Sequence, residues 1–549
     1  MIELKRRKLI TGALSFLVYA NCHKAMAKMT GSAPGIQFSD VNALRNSQQL
    51  NAAAVIVLNE YTQGSGKGGG SFKVDPSDTT TQDDGGYCFV NQSQQRLKRI
   101  CANNSIAASS FGMTGQSADN TSAFKNFMKV NLDKVIDVNI YTGGVAQVAN
   151  NTRVSATNNA TIFATADIYH DKGRTKNNQG QTLEVGDNCH LENVKINGMG
   201  YKNNGFLVDS RSNVVIKNCQ VKNGKGQALL DIMGQNCTYD GNTLSTSQHG
   251  IQLWLSKGTV VTNNTIFQVT GGIWTACASN VSVTKNYIHD CADVGIDWEG
   301  GNNCTSDSNR VEHCANGELA VFASGRQLLK YNVPMGNLYH KNNTVVRGGQ
   351  YLSRDGTTKT NSLGDAGACM IYGNLDEHLI GPIVFEGNII KIEDSNEKSV
   401  RCFSSRGSAG SDANIIFKNN KFTSYSSDMG QLRNLNNVQF TGNQFSYAGA
   451  SYKPTATAFQ NINHLSVVSN TVTINNNQQD TPPWMLYHWA EGNNKVEITN
   501  NTFTGFKSYA FVINNQNEAS PAVIKNNNFK QKDNSTVSGK GYLVRGMDN

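Results

Sequence analysis

The strings GIQLWL (250–255), GIWTAC (272–277) and GIDWEG (295–300) share one pattern, and GELAVF (317–322) follows them. Side chains of an extended strand alternate between its two faces. With Ile251, Ile273 and Ile296 turned inward, the residues Gln252, Trp254, Trp274, Asp297 and Glu299 turn outward together. With Leu319 and Val321 inward, Glu318 joins them on the outer face, although Gly317 also permits a register shifted by one residue. Clustered carboxylates raise one another's pKa by repulsion, and flat indoles suit the C–H faces of sugars. Hydrolysis of a glycosidic bond needs one protonated acid at the leaving oxygen and one ionised base or nucleophile. Asp297, Glu299 and Glu318 are therefore the candidate catalytic residues, and Gln252, Trp254 and Trp274 the candidate sugar contacts. Asp297 and Glu299 stand roughly 6.6 Å apart along a strand, which leans towards inversion; Asp297 and Glu318 on adjacent strands stand about 5 Å apart, which leans towards retention. Both outcomes stay open in the sequence. Trp298 falls on the inward side and reads as core.

Further candidates hold a substrate rather than cut it. Segments 351–367 and 374–381 are insertions, and insertions in a repeated array gather on the binding face. Asp365, Tyr372 and Arg401 lie in or near them, as do Arg354 and Arg406. Arg pairs with the acidic groups of a polymer. His249, His289, His313, His340 and Tyr287 keep a second chemistry open, because a His or Tyr base beside Arg suits β-elimination of a uronic acid. A third reading is a glycan-binding rod without catalysis. GxSxG and Walker-type strings are absent, so serine-esterase and NTPase readings have no support and no cofactor is expected; no DxDxDG string is present, and a carboxylate-bound Ca²⁺ stays open.

These residues are positioned by a repeat. From residue 190 onward the pattern apolar, two residues, Asn, one residue, apolar keeps returning, as in Tyr239–Leu244, Val261–Ile266, Val283–Ile288, Phe385–Ile390, Phe417–Phe422, Phe440–Phe445, Val467–Val472, Ile498–Phe503 and Ile524–Phe529. Asn309 and Asn343 match more loosely, and Val194 and Cys219 fill the slot in the first two repeats. A unit of 22–25 residues is too short to fold alone and must stack on its neighbours. One turn of a right-handed parallel β-helix fits this length. Its strands pair at about 4.8 Å from turn to turn, so successive Asn side chains can form a hydrogen-bonded ladder. The expected fold is all-β: a parallel β-helix over 136–535 with about thirteen clear turns. Before it come a small β-domain (31–105) and a helical cap and entry (106–135), and a tail (536–549) follows it.

Composition agrees. The chain has 549 residues, with 52 Gly and only 8 Pro, and aromatics make up 8%. Its formal charge of +8 is scattered, which argues against a nucleic-acid footprint. No run reaches the roughly 20 apolar residues of a membrane span. Twelve Cys without a CxxC pair read as free buried thiols. Residues 1–27 have a basic start with Arg6-Arg7, an apolar run from Leu9 to Ala20 and the small-residue site Ala25-Met26-Ala27. This is an export-signal anatomy of twin-arginine type, or else a short anchoring segment.

The stretch 50–100 carries an apolar strand at Val55–Leu58, a Gly-Gly-Gly-x-Phe turn, the loop Asp75-Pro76-Ser77-Asp78 and a closing Leu97-Lys98-Arg99-Ile100. It resembles the segment that precedes the β-helix of bacteriophage tailspikes, the capsule and O-antigen depolymerases. FGMTGQSADNTSAF (111–124) resembles the entry of pectate-lyase-like helices, departing from it at Met113, Gln116 and Ser117. The resemblance implies a homotrimeric virion protein, attached to the phage tail or baseplate through its N-terminal region, that binds and cleaves a bacterial surface polysaccharide. It implies a virion-tail location; the alternative is an exported polysaccharide lyase.

Overall fold

The computed structural model describes residues 35–169, 180–322, 335–360, 366–373, 382–393, 400–407, 414–425, 429–448, 457–475, 483–487, 495–516, 521–532 and 540–546. The signal-like segment, Asp365 and loop 374–381 lie outside the described residues. The chain forms two compact units, one made of Met1–Asn104 with Ser109–Thr114 and one of Ser105–Ala108 with Gly115–Asn549.

The first unit is a five-stranded sheet over a core of Val41, Leu44, Ile56, Leu58, Phe72, Val74, Phe89 and Leu97. Its helix Val41–Arg45 is capped by Asp40, which accepts from the Ala43 N–H. The sequence signals of this unit turn out to be structural. Arg99 donates to the carbonyls of Gly68, Gly69 and Gly86 at 3.1, 2.8 and 2.9 Å, so the glycine-rich loop folds around one guanidinium. The Lys98 ammonium bridges Asp75 and Asp78, each at 2.8 Å.

The second unit is a parallel β-helix. The helix Thr121–Lys129 buries Phe124, Phe127 and Met128 against its first turns. Three strips of parallel strands follow. Two of them merge into one 29-stranded sheet, because Gly430–Thr441 and Thr457–Val468 run through the corner between them; the third strip has 15 strands. Each turn adds one strand per strip, and inward residues stack in rows such as Ile251, Ile273, Ile296, Leu319 and Cys369.

The repeated Asn residues form the ladder that their spacing implies. Asn242, 264, 286, 309, 343, 388, 420, 443, 470, 501 and 527 are linked in series. Each Nδ2 donates to the next Oδ1 at 2.9–3.0 Å. The two loosely matching members, Asn309 and Asn343, take part like the others. The residue ahead of each Asn turns the corner with positive φ. It is Asn at 263, 342, 419, 500 and 526, Gly at 241, 387 and 442, Ser at 308 and 469, and Lys at 285. Only Gly and, at lower cost than other residues, Asn adopt this conformation readily, which is why so many pairs read Gly-Asn or Asn-Asn. Cys291 and Cys314 stack as buried free thiols.

Candidate functional site

The candidate residues sit on the strands His249–Trp254, Gly271–Ala276, Val294–Glu299, Gly317–Phe322, Cys369–Gly373 and Phe403–Gly407. Their register is regular. One outward row runs Gln252, Trp274, Asp297, Ala320, Met370, Ser404. The other runs Trp254, Ala276, Glu299, Phe322, Tyr372, Arg406. Gln252, Trp254, Trp274, Asp297, Glu299 and Tyr372 therefore share one face. Trp298 points inward, fully buried, and stacks on His340. His340 is itself core, bonded to Ser306 at 2.7 Å.

Glu318 does not join that face, which corrects the expectation from strict alternation. The chain bends at the glycine that opens each strand, so the glycine and the residue after it both face inward. A Cβ on Gly272 would stand 2.6 Å from Ile288, and one on Gly295 2.3 Å from Val311. Because Leu319 pairs with Ile296, Glu318 stacks over Gly295 and enters the interior. It is fully buried there, accepts from the Cys314 N–H at 3.0 Å and pairs with the equally buried Arg347 at 3.1 Å. Arg347 also donates to the carbonyls of Cys314 and Ala315. This is a closed ion pair inside the coil, and it takes Glu318 out of reach of a polymer on the outer face.

Asp297 lies on the outer row but is only 1% exposed; the expectation that it faces water is corrected too. Its row neighbours are Trp274 and Ala320, and an apolar cluster of Val294, Ala320 and Met370, fringed by Phe322 and Tyr372, closes over this part of the face. Loss of water, then the charges of Glu299 and Asp293, push the Asp297 carboxyl well above the usual range, with the Trp274 N–H opposing them. Burial and the neighbouring like charges thus favour the protonated form of Asp297. Its Oδ1 has no hydrogen-bond partner. Glu299, two residues along, is half-buried. A buried carboxyl with a raised pKa thus stands beside a second, more accessible one. Only the Asp297–Glu299 spacing remains, since the alternative pair needed Glu318 outside.

Three further residues take part: the sequence missed Asp293, offered His249 only for elimination chemistry, and named Arg354 only among the loop arginines. Asp293, at the corner before this strand, contributes to the Asp297 environment and is itself raised by burial while accepting from Asn316 at 3.0 Å. His249 stacks on Trp274 with centroids 5.6 Å apart. It has room because its partner across the rung is Gly271, where a Cβ would lie 2.6 Å from the ring. The doubled Gly271-Gly272 was the available signal. Burial, aided by the charge of Arg354, pushes His249 down to about 4, so the ring is neutral. The third is Arg354, on a hairpin from the insertion. Several polar atoms of this face have no partner: Gln252 Oε1, Trp254 Nε1 and His249 Nδ1.

Of the other candidates, Tyr372 packs edge-on against Phe322 at 5.4 Å. Arg401 is half-buried and reaches Gln431 at 3.3 Å, away from the carboxylates. His289 is tied to Asp290 at 2.7 Å on a different strip. Tyr287 there bonds Glu312 at 2.9 Å, and Arg310 bonds the other oxygen of Glu312 at 2.8 Å. A separate hollow near the start of the coil is lined by Lys129, Gln147, Glu184 and Arg211 and contains none of the candidates. Among the described residues no His, Cys, Asp and Glu cluster fits a metal ion, and no helix is long and apolar enough to cross a membrane.

Comparison with known proteins locates both units. Residues 174–349 match the model of a right-handed β-helix region, and residues 37–102 match that of a phage tail protein small four-stranded β-sheet domain. A Mu-like prophage FluMu defective tail fiber protein of Haemophilus influenzae is 36% identical over 89 residues, covering 16% of this chain and 14% of that protein. Full-length tailspike protein 2 of an Escherichia coli O157:H7 bacteriophage superposes with a TM-score of 0.54 at 14% identity, covering 71% of this chain and 52% of that one. The chain thus spans about half of that tailspike and a small part of the tail fiber protein. It has a right-handed parallel β-helix and a small N-terminal β-domain.

Proposed function

We propose that this chain is a phage tail protein that binds a bacterial surface polysaccharide and cleaves it internally by glycoside hydrolysis. Asp297 is the general acid and Glu299 the base or nucleophile. The observation that supports this most strongly is the setting of Asp297: a buried carboxyl whose pKa is raised by lost water and like charge, with one oxygen unpartnered, beside a more accessible carboxylate. A neutral acid at neutral pH can protonate a leaving glycosidic oxygen. Sugar-holding groups lie on both sides of the pair along the coil. Gln252, Trp254 and Trp274 lie towards one end, Phe322 and Tyr372 towards the other. A chain laid across both sides is cut in its interior, not at its tip.

The Asp297–Glu299 spacing of about 6.6 Å along the strand favours inversion. The tail attachment is carried by the small β-domain and the tail fiber likeness. β-Elimination is the second reading: the Tyr287, Arg310 and His289 group sits one strip away, but Glu312 and Asp290 already occupy its polar atoms. The test is incubation with a panel of purified capsular and O-antigen polysaccharides, followed by product sizing. Hydrolysis yields shorter chains with new reducing ends, and Asp297→Asn or Glu299→Gln abolishes them while leaving circular dichroism unchanged. Cleavage undiminished in both variants refutes the assignment; glycan binding without any shortening refutes catalysis.

A further inference from the structure

The insertion after Arg347 folds into a hairpin of Gln350–Leu352 against Thr358–Thr360. It belongs to a later turn yet reaches back along the coil. The Leu352 N–H donates to Asp290 Oδ1 at 2.8 Å, and Asp290 holds His289 with its other oxygen. The hairpin tip is organised by its own groups: Ser353 N–H to the Thr357 carbonyl at 2.9 Å, and Asp355 Oδ1 taking the Thr357 N–H and hydroxyl at 2.9 and 2.6 Å. Asp355 is thereby engaged, with Lys359 3.9 Å away. Arg354 at this tip is exposed and has no ion-pair partner among the described residues. It stands near enough to His249 for its charge to act on that ring.

Around it the protein offers a neutral imidazole with an unpartnered Nδ1, the Trp274 indole stacked on that ring, and the Oε1 of Gln252, a side chain 94% buried by its 6% exposure. A free guanidinium, an aromatic face and unpartnered hydrogen-bonding atoms together match a sugar that bears a carboxylate. The charges also set where that sugar lies. Asp293, Asp297 and Glu299 crowd one rung, whereas His249 stands two rungs away, about 10 Å at the strand spacing. The charge of Glu299 repels an anionic sugar from the first place, and the charge of Arg354 draws it to the second.

Resting on the reading above that this face binds a polysaccharide, we propose that the polymer is acidic. Arg354, with His249, Trp274 and Gln252, forms a subsite for its carboxylate-bearing residue, two rungs from the bond that is cut. The subsite fixes the register of the chain and so selects which linkage reaches Asp297.

The test is calorimetric titration of the full chain with trigalacturonate, trimannuronate and an α-linked sialic-acid trimer, each also in carboxyl-reduced form. At least one acidic trimer binds, its reduced form binds at least roughly tenfold more weakly, and Arg354→Gln produces a loss of the same order. Arg354→Lys retains part of the affinity. Arg354 is exposed, so its replacement leaves the fold intact. No binding of any acidic trimer, or equal binding to wild type and Arg354→Gln, overturns the subsite. Cleavage of a neutral polymer alongside that result leaves the hydrolytic reading standing. Arg354-dependent binding with no polysaccharide ever cut leaves the subsite standing and removes hydrolysis.

Discussion

At the scale of single residues, two buried carboxyls that look alike in sequence have opposite roles. Glu318 faces a cation and is closed off; Asp297 faces an indole and apolar carbons and keeps a free oxygen. Removing one partner of a buried ion pair is costly, about 3–5 kcal/mol. Glu318→Gln and Arg347→Met should therefore each lower the chemical-denaturation midpoint, with activity per folded molecule largely kept. Asp297→Asn should do the reverse, slowing cleavage by roughly 10²–10⁴-fold while raising thermal stability at pH 8. The sign follows from linkage. A carboxyl whose pKa is raised on folding adds stability below its unfolded pKa and loses it as pH climbs through the folded value. Melting curves of the wild type should fall against those of Asp297→Asn as pH rises above about 4, and parallel curves would contradict a raised Asp297. The outward set was legible from alternation alone. Glu318 was not, because alternation stops at the bend that Gly295 marks, and neither was Asp293; His249 and Arg354 were named, but their approach to this face comes only through folding.

At the scale of the element, the Asn ladder was legible because one residue type recurs at one spacing. It should behave as a linked series. Asn309 accepts from the Asn286 backbone and side chain and donates to Asn343 and the Val283 carbonyl. Asn309→Ala should thus cost about 3 kcal/mol through buried groups left unpaired. Asn527→Ala, at the partly exposed end, should cost less by equilibrium unfolding. Lys285 pays for positive φ at a corner where neighbours use Asn or Gly, so Lys285→Asn should stabilise by about 1 kcal/mol. The strand Val294–Glu299 sets the stereochemistry as well. With Glu318 inside, the remaining pair has the wider spacing, and NMR of fresh product should show an inverted anomer.

At the scale of the whole molecule, the repeat made the β-helix readable from its period, and the N-terminal unit was readable as a small β-domain from its short strands and Gly-rich loop. Its Gly-rich loop and Asp-Pro-Ser-Asp motif are folded around Arg99 and Lys98. Homotrimerisation is our proposal from the tailspike likeness. Sedimentation equilibrium should give three times the 59.6 kDa chain mass, and a monomer at micromolar concentration would contradict it.

The central claim is that Asp297 and Glu299 direct water onto a glycosidic bond. Cleavage carried out in heavy-oxygen water, with products weighed by mass spectrometry, tests it most directly. Hydrolysis places one labelled oxygen at each new reducing end and leaves no unsaturated sugar. Products without label, carrying a new double bond, would show elimination and contradict the account.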